Sequence, residues 1–463
     1  MRGAYALVVA VCLVSCGGRD AYVCTSDSEC ISKGAAGTCE PEGFCAFPDG
    51  TCESGQRFEP NAGAGLGGDC TVACGRVGQA CCETEGAACT PGATCSVGAC
   101  AACVADIALG RRFACALHAN GTVLCSGENL VGQLGVGATG DPIATPRQVT
   151  DSTSALIGDA TAVAAGHEHA CAVRVNGEVW CWGRDFGPIA VQVQKTDATP
   201  LTGIVEVQAG NEFTCGRDGG GMLWCWGQNA SGQLGDSTVV ARQQAAPVQN
   251  LAGVASFTVG ALHVCATDGA GAVSCWGENG NGQLGDGTQN DAPLPVHIMD
   301  NVKITAGMWH TCALQGDGTI TCWGWSGHGR LGYGKGAQYS GGNELAPVMV
   351  LDATLTAPFT GATAVSAGGE TCAITSDTHV FCWGDSQYGQ TGTGSGSVVP
   401  VEVILGDATP LTGVDRLITH YTHVCAHRTD GTMTCWGRNA EGALGDGTLL
   451  NRGLAAPLTA SCP

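Results

Sequence analysis

Basic side chains are scarce in this chain. Its 463 residues include 20 Lys and Arg against 41 Asp and Glu, which gives a formal net charge of −21 at pH 7. Nucleic acids and anionic membrane surfaces are recognised through clustered Lys and Arg side chains. The charge balance therefore argues against either of them as a partner.

Sequence motifs of common enzymes are missing as well. The chain contains no Gly-x-Ser-x-Gly elbow, no phosphate-binding P-loop and no His-Glu-x-x-His zinc motif. We therefore predict that the protein is not an enzyme and needs no cofactor. An enzyme whose site is assembled from scattered loops would escape this test and stays an alternative.

Cysteine, in contrast, is abundant, with 30 residues that indicate an oxidising compartment. Many of them form pairs ten residues apart, and these pairs recur about every 52 residues, a period typical of propeller blades. The pairs are Cys115–Cys125, Cys171–Cys181, Cys215–Cys225, Cys265–Cys275, Cys312–Cys322, Cys372–Cys382 and Cys425–Cys435.

The ten-residue spacing places the two cysteines of a pair opposite each other on a β-hairpin with a three-residue loop. Such a loop ends in a left-handed residue, usually Gly. Its third position is Gly in every repeat except the sixth, which has Thr378. Opposed in this way, the two Cα atoms lie within disulfide range. We predict one cross-strand disulfide for each of the seven pairs.

A Trp follows the second cysteine of every pair except the first, where Ser126 stands. Its side chain points to the opposite face of the strand from the cysteine, so we interpret it as packing between blades. Short alternating strands separated by turns form four-stranded blades, and radial closure protects their edges. The predicted fold is all-β, with a seven-bladed β-propeller over residues 103–463.

Four motifs recur in these repeats: Gly-x-x-His-x-Cys-Ala, Asp-Gly-x-Val, Cys-Trp-Gly-x-Asn and Gly-Gln-Leu-Gly-Asp-Gly-Thr. They resemble those of the regulator of chromosome condensation repeat family. The resemblance covers the predicted propeller and implies seven blades. It also implies guanine-nucleotide exchange, the activity that names the family, as a candidate function. Blade two departs from the pattern with Arg184–Pro188, and blade six with Gln390-Thr391-Gly392.

Residues 1–15 have the features of a secretory signal peptide. Ala4–Val14 is an apolar stretch too short for a membrane span, and the following Leu-Val-Ser-Cys segment resembles a bacterial lipobox. Cleavage would leave Cys16 acylated, with residues 16–23 as a tether, and several acyl chains anchor a protein firmly. Because Gly17 favours the outer membrane, we predict an outer-membrane lipoprotein at the cell surface or in the periplasm. An ordinary signal peptide is the alternative.

Residues 24–102 contain many cysteines, few aromatic residues and no 50-residue period. We divide them into a disulfide-rich module at residues 24–73 and a second, knottin-like cysteine-rich module at residues 74–102. Modules this small lack a sufficient core, so disulfides replace it, and their pairing stays open. The pattern resembles the cysteine-rich stalks of myxobacterial surface lipoproteins. Cys103 and Cys462 remain at the two ends of the propeller, and we predict that a bond between them seals the ring.

Two sets of side chains are candidates for binding. Tyrosines in the last three blades offer contacts of the kind found at interfaces, and they are Tyr333, Tyr339, Tyr388 and Tyr421. Histidines two positions before the first cysteine suggest a metal ion in the channel, and they are His169, His263, His310 and His423. Phe113, Phe213 and Glu370 fill the same position elsewhere, so we interpret the histidines as structural and predict no metal. Asp286 and Asp446 resemble parts of calcium loops but lack the alternating acids, so we interpret their segments as turns.

These observations favour a monomeric recognition module that binds an unidentified protein or glycan at the cell surface through its propeller loops. It would touch the membrane only through its lipid anchor and would bind no nucleic acid. An inhibitor of a secreted enzyme, like the β-lactamase inhibitor built on the same repeat, is the alternative. Guanine-nucleotide exchange needs a cytosolic GTPase, which an exported disulfide-bonded protein would not meet.

Overall fold

The computed structural model describes residues 104–336 and 342–457, together with short strands nearer the N-terminus. The chain divides into two compact units, one of residues 104–461 and one of residues 1–103 with 462–463. Cys16, Cys103, Tyr339 and Cys462 lie outside the described residues, so the acylation and the ring-sealing bond stay predictions. Within the described part, no helix has the length and apolar character needed to cross a membrane.

Short antiparallel strands are the described elements of the N-terminal unit. They are β1 (Ile31–Ser32), β2 (Ala35–Ala36), β3 (Thr38–Cys39), β4 (Cys45–Pro48), β5 (Gln56–Phe58), β6 (Ala93–Ser96) and β7 (Ala99–Ala102). Strand β1 pairs with β2, β3 to β5 form one sheet, and β6 pairs with β7. The backbone of Cys39 lies opposite Cys45, and that of Cys95 opposite Cys100. Hairpins therefore also place cysteines opposite each other in this unit.

Residues 104–457 form seven sheets, each made of four consecutive antiparallel strands. Blade one contains β8 (Val104–Leu109), β9 (Phe113–His118), β10 (Val123–Asn129) and β11 (Gly140–Gln148). Blade two contains β12 (Ala160–Ala165), β13 (His169–Arg174), β14 (Val179–Gly183) and β15 (Gly187–Gln192). Blade three contains β16 (Ile204–Ala209), β17 (Phe213–Asp218), β18 (Leu223–Gly227) and β19 (Arg242–Pro247).

The remaining four blades repeat this arrangement, which confirms the all-β, seven-bladed prediction. Blade four contains β20 (Val254–Val259), β21 (His263–Asp268), β22 (Ala272–Gly277) and β23 (Ala292–Asp300). Blade five contains β24 (Lys303–Ala306), β25 (His310–Leu314), β26 (Ile320–Trp325), a 3₁₀ turn (Gly327–Gly329) and β27 (Asn343–Met349). Blade six contains β28 (Ala362–Ala367), β29 (Glu370–Thr375), β30 (Val380–Gly384) and β31 (Ser397–Glu402). Blade seven contains β32 (Val414–His420), β33 (His423–Arg428), β34 (Met433–Gly437) and β35 (Arg452–Pro457).

The second and third strands of each blade form the expected hairpin. In blade one, His118 and Thr122 close a loop whose third residue, Gly121, has a φ of +83°. Thr378 takes the same left-handed conformation in blade six, with a φ of +67°. All seven cysteine pairs are bonded, with Cα–Cα distances of 4.0–4.2 Å, and these cysteines are fully buried. Each bond closes a short loop and contributes about 2–3 kcal/mol in the chain-entropy model.

The Trp side chains that follow the second cysteines join neighbouring blades. Their indole rings are fully buried, and most indole N–H groups donate to a backbone carbonyl in the preceding blade, at 2.8–3.0 Å. The donor–acceptor pairs are Trp182–Gln133, Trp276–Gln233, Trp323–Gln283, Trp383–Arg330 and Trp436–Gln390. The expected packing between blades is therefore accompanied by a hydrogen bond.

Trp226 is the exception, and the sequence of blade two explains it. The short segment Arg184–Pro188 replaces the loop that would carry the acceptor, and Phe186 packs in the same apolar cluster as Trp226. The indole nitrogen of Trp226 is buried with no hydrogen-bond partner among the described residues. It lies beside a cavity of about 10 Å³. The departure from the repeat in blade two thus removes one hydrogen bond between blades.

The turns between the first and second strands pack against one another around the central channel. The amide of Asn211 donates to the carbonyl of Ala261 at 2.9 Å, as neighbouring turns do around the rim. A Cβ atom on Gly166 would lie 2.1 Å from the carbonyl oxygen of Gly210 in the next blade. Glycine recurs at this position because the Phe or His ring three residues further on and, in most blades, the backbone of the next blade leave no room for a side chain.

Blade seven meets blade one without exchanging a strand. Arg416 forms an ion pair with Asp106 at 3.1 Å and donates to the carbonyl of Ala105 at 2.9 Å. An apolar cluster that contains Leu109 and Met433 spans the same boundary. In the described part of the chain, side-chain packing, ion pairs and hydrogen bonds close the ring.

We expect Trp276→Phe to destabilise the propeller more than Trp226→Phe. Both changes replace the same indole ring, but only the first leaves a buried acceptor, the carbonyl of Gln233, without its donor. The free energy of unfolding, measured by denaturant titration of both variants, should differ by about 1–2 kcal/mol. Equal losses would show that the bond to Gln233 contributes nothing to stability.

Candidate functional site

One end of the propeller, called the loop face below, carries the turns between strands one and two and the loops between strands three and four. In blade one the amide of Glu128 donates to the carbonyl of Arg112 at 2.9 Å, and in blade five the amide of Trp325 donates to the carbonyl of Trp309 at 2.9 Å. These two equivalent positions therefore lie side by side on the loop face. Their side chains decide what each blade presents there.

Paired charges cover the loop face on blades seven, one, two and three. Arginine and glutamate alternate across the blade boundaries, so each side chain has an opposite charge nearby. The pairs are Arg438–Glu441 (2.9 Å), Arg112–Glu441 (4.0 Å), Arg112–Glu128 (3.1 Å), Arg184–Glu168 and Arg184–Glu212 (3.7 Å). Partly exposed pairs stabilise a fold only slightly, but here the paired side chains neutralise one another's charges.

Blade five presents an aromatic surface at the same two positions. The rings of Trp309 and Trp325 meet edge to face, with centroids 5.1 Å apart and planes at 81°. Met308 precedes them in the turn, and Leu262 is the equivalent of Trp309 in blade four. All four side chains are partly exposed. We call these four residues the tryptophan patch.

Arg330 holds the tryptophan patch from below. It occupies the Gln position of the Gly-Gln-Leu-Gly loop, and only 1% of its surface is exposed. Its guanidinium carbon lies 4.3 Å from the ring centroid of Trp325 and 5.4 Å from that of Trp309. His328, in a left-handed conformation with φ of +61°, contacts Trp325 with ring centroids 5.9 Å apart. Cation–π and edge-to-face contacts therefore fix both indole rings in place.

Three of the predicted binding tyrosines lie at the loop face, and the structure places each in a different setting. Tyr333 donates its hydroxyl to Glu344 at 2.7 Å, and burial together with this bond raises the pKa of Tyr333. Tyr388 lies under Arg438, 4.6 Å from its guanidinium carbon. Tyr421 is buried, with only 8% of its surface exposed. Their binding role stays a prediction.

Sequence reasoning missed the tryptophan patch. The signal was present, because Trp325 stands where the other six blades carry Arg, Glu, Gln or Asp, and Trp309 stands where three of them carry Arg or Glu. Comparing the repeats position by position, and not only at the cysteines, would have found it.

Three of the four repeated histidines bridge neighbouring blades, and the threonines that they contact lie one position before the first cysteine of the next blade. The pairs are His169–Thr214 (2.8 Å), His263–Thr311 (2.9 Å) and His310–Thr371 (2.8 Å). No group of three or more metal-binding side chains occurs in the described residues. The three bonds to threonine support the structural interpretation, although the partner is a hydroxyl and not a backbone group.

Burial keeps these histidines neutral. Desolvation lowers the pKa of His169 to about 4 and that of His263 to about 3, and it lowers the pKa of His310 well below its usual range. A neutral imidazole forms one bond to the threonine hydroxyl without placing a charge in the core. This chemistry suits packing between blades and requires no ligand.

At most blade boundaries the two facing residues are chemically alike. A histidine faces a threonine, and a phenylalanine faces an apolar residue. Phe213 packs in one apolar cluster with Val264, and Phe113 in another with Ala170. Two boundaries break the rule, since Glu370 lies at the position opposite Val424 and His423 at the position opposite Ala114. Both carboxyl oxygens of Glu370 and both ring nitrogens of His423 are buried without a hydrogen-bond partner among the described residues. Burial raises the pKa of Glu370 well above its usual range.

The Asp-Gly-Thr segments form turns, as expected. The Asp286 carboxylate accepts hydrogen bonds from the Thr288 amide at 2.9 Å and from the Asn279 side chain at 2.9 Å. Asp446 makes the same contacts and also pairs with Arg452, whose Nε lies 2.8 Å away. These carboxylates are occupied by the loop itself.

Comparison with known protein families identifies the repeat. A family model described as the regulator of chromosome condensation (RCC1) repeat matches residues 104–133, 160–186, 204–233, 302–330 and 362–390. A second model of the same description matches residues 270–314. RCC1 repeats are therefore present in blades one to six. No curated protein sequence matches the chain.

Two solved structures share the RCC1-repeat fold. The crystal structure of human WBSCR16 aligns with a TM-score of 0.61 and 19% identity, over 73% of this chain and 94% of that one. A chain in the crystal structure of Kap60 bound to yeast RCC1 (Prp20) aligns with a TM-score of 0.59 and 15% identity, over 77% of this chain and 85% of that one. Identities this low show a common fold alone.

We expect Glu370→Phe to stabilise the RCC1-repeat propeller by about 1–3 kcal/mol. The variant loses a buried carboxyl group that has no hydrogen-bond partner in the described part of the chain. It also creates, opposite Val424, the combination that Phe213 and Val264 already form. Denaturant titration measures the change. The reverse substitution, Phe213→Glu, serves as the control and should destabilise. A loss of stability in Glu370→Phe would show that the carboxyl group contributes favourably.

The buried histidines should make the propeller sensitive to acid. Their folded-state pKa values lie below the ordinary value of about 6.5, so the unfolded chain takes up protons first and stability falls as the pH drops below about 6.5. For His263, with a pKa of about 3, the loss reaches about 3 kcal/mol at pH 4. This stability should be fully present above about pH 6.5.

A double variant isolates this contribution. His263→Phe with Thr311→Val recreates the pairing of Phe213 with Val264 and removes the titrating group. Between pH 7 and pH 4 it should lose about 3 kcal/mol less stability than the wild type. Denaturant titrations at both pH values test this, and parallel losses in the two proteins would contradict it.

Proposed function

We propose that this chain is an outer-membrane-anchored, extracytoplasmic recognition protein that binds a partner protein through the tryptophan patch. The patch itself carries the proposal. Trp309 and Trp325 are partly exposed and held edge to face at positions where blade one carries the ion pair of Arg112 and Glu128. Core packing does not explain these two tryptophans, because Trp323 already packs against the preceding blade.

The scaffold supports a binding role for the patch. Tryptophan, methionine and arginine are enriched at the centres of protein interfaces, and a polar rim surrounds such centres. The loop face has this arrangement, with the patch on blades four and five and paired charges on blades seven, one, two and three. Disulfide-pinned hairpins and stacked rings hold the patch rigid, so little conformational entropy is lost on binding.

A protein partner fits these observations better than a glycan. The guanidinium of Arg330 stacks on Trp325, which leaves less flat indole surface for a sugar ring. One of the structures with the same fold contains yeast RCC1 bound to Kap60, another protein. RCC1-repeat propellers thus serve as protein-binding scaffolds in at least that case.

Acylation of Cys16 would hold the propeller at the outer membrane, as the lipobox-like segment indicates. Seven buried disulfides suit an oxidising compartment. Nucleotide exchange on a cytosolic GTPase fits neither feature. Radiolabelled acyl chains should therefore appear on the wild type and be absent from Cys16→Ala.

We expect Trp309→Glu to weaken capture of the partner at least tenfold. Glutamate occupies the same turn position in blades two and three, as Glu168 and Glu212, so the fold tolerates it, whereas a charge in the patch repels an apolar partner surface. Crosslinking on intact cells, followed by quantification of the captured protein and titration of the purified pair, measures the effect.

Glu212→Ala is the matched control, since it changes the same position on the charged half of the face. It should bind like the wild type, and both variants should keep the wild-type unfolding midpoint. Equal binding by Trp309→Glu and the wild type would reject the tryptophan patch as the interface.

A further inference from the structure

The central channel contains a cavity of about 430 Å³, lined by the first strands of all seven blades. A cavity of this size accommodates a small molecule. Several polar groups on its wall already have partners, because hydroxyls bridge adjacent blades. Thr258 accepts a hydrogen bond from the Ala306 amide at 3.0 Å, and Ser366 bonds Thr419 at 2.8 Å. These hydroxyls are therefore already engaged within the wall.

The rim of the channel at the loop face is different. It is made by the turns between strands one and two, and it is polar on one side and apolar on the other. Blades seven, one, two and three contribute Tyr421, Arg111, His167 and Asn211, whereas blades four, five and six contribute Ala261, Met308 and Gly368. The polar side is continuous, since the rings of Tyr421 and His167 lie 5.3 Å apart and the His167 amide donates to the Asn211 carbonyl at 3.0 Å.

Three groups on this polar side have hydrogen-bonding capacity to spare. The Tyr421 hydroxyl, the Asn211 Oδ1 and the His420 Nδ1 are each buried without a partner among the described residues. Tyr421 is 8% exposed, and both Tyr421 and His420 line the cavity. Buried polar groups normally have a hydrogen-bond partner. Several unpaired groups in one place therefore indicate a site for a ligand that would bond them.

The surroundings of His420 and Tyr421 determine whether each side chain donates or accepts a hydrogen bond. His420 bonds the backbone of Gly110, and burial lowers its pKa to about 3. Because the ring is neutral and its other nitrogen is engaged, His420 Nδ1 carries a lone pair and accepts. Tyr421 keeps its proton, since burial raises its pKa, so its hydroxyl donates.

Arg111 supplies a charge at the same place. After burial, which is the larger effect, its positive charge acts to lower the pKa of both Tyr421 and His167. Arg111 itself forms no ion pair within the described part of the chain. Two carboxylates on this side of the loop face, Glu168 and Glu212, already pair with Arg184. In a chain with a formal charge of −21, an arginine left without a carboxylate marks a place for an external anion.

We propose that the polar rim of the channel is a binding site for a small carboxylic acid that also carries hydroxyl groups, such as a sugar acid. Its carboxylate would accept hydrogen bonds from Arg111 and the Tyr421 hydroxyl. A hydroxyl of the same molecule would donate to His420 Nδ1 or Asn211 Oδ1. The site is independent of the tryptophan patch and uses none of its side chains.

Isothermal titration of the purified full-length protein tests this site with D-gluconate, with D-glucitol as the uncharged control and acetate as the charge-only control. Gluconate should bind saturably, glucitol at least tenfold more weakly because it lacks the carboxylate, and acetate more weakly because it lacks the hydroxyls. Arg111→Gln and Tyr421→Phe should each weaken gluconate binding at least tenfold.

Arg112→Gln is the matched control, because Arg112 is adjacent in sequence but already paired with Glu128 and Glu441. It should bind gluconate like the wild type, as should Trp309→Glu, which separates this site from the protein interface. Denaturation midpoints of all variants establish that they fold. No gluconate binding by the wild type, equal binding of glucitol, or full binding by Arg111→Gln would each overturn the proposal.

Discussion

Every blade of this propeller depends on a neighbouring blade to satisfy its buried polar groups. An indole N–H reaches back to the preceding blade, as Trp276 does to Gln233. An imidazole reaches forward to the next, as His263 does to Thr311. Because these bonds lie in a dry interior, an unmatched group costs more than a matched one contributes. The ring is thus specified by complementarity between successive repeats as well as by the blades themselves.

The elements within a blade could be predicted from the sequence, because their determinants lie close together in the chain. Cys265 and Cys275 are ten residues apart, and Gly271 between them has the positive φ that the loop requires. Contacts between blades were harder to predict, because the two partners are more than forty residues apart. The histidine position was recognised as structural, but its threonine partner was not.

The loop face shows a second limit of prediction from the sequence. A repeat is normally compared at the positions it conserves within itself, and these are the core positions. Trp309 and Trp325 stand at positions that vary from blade to blade, so a search for the common pattern passes over them. Tyrosine content pointed to the last three blades, and Tyr421 instead lies buried at the channel rim. Exposure depends on how blades pack, which residue type alone does not determine.

Blade seven brings these themes together. Both of its boundaries carry an unmatched buried group, Glu370 on one side and His423 on the other, although an apolar residue at either place would suit its neighbour. The ion pair of Arg416 with Asp106 lies at the boundary where the ring closes. The orphan hydroxyl of Tyr421 belongs to the same blade. Departures from local consistency concentrate where a chain is selected for something other than stability, and among the described residues the closing blade holds or borders three of them, at Glu370, His423 and Tyr421.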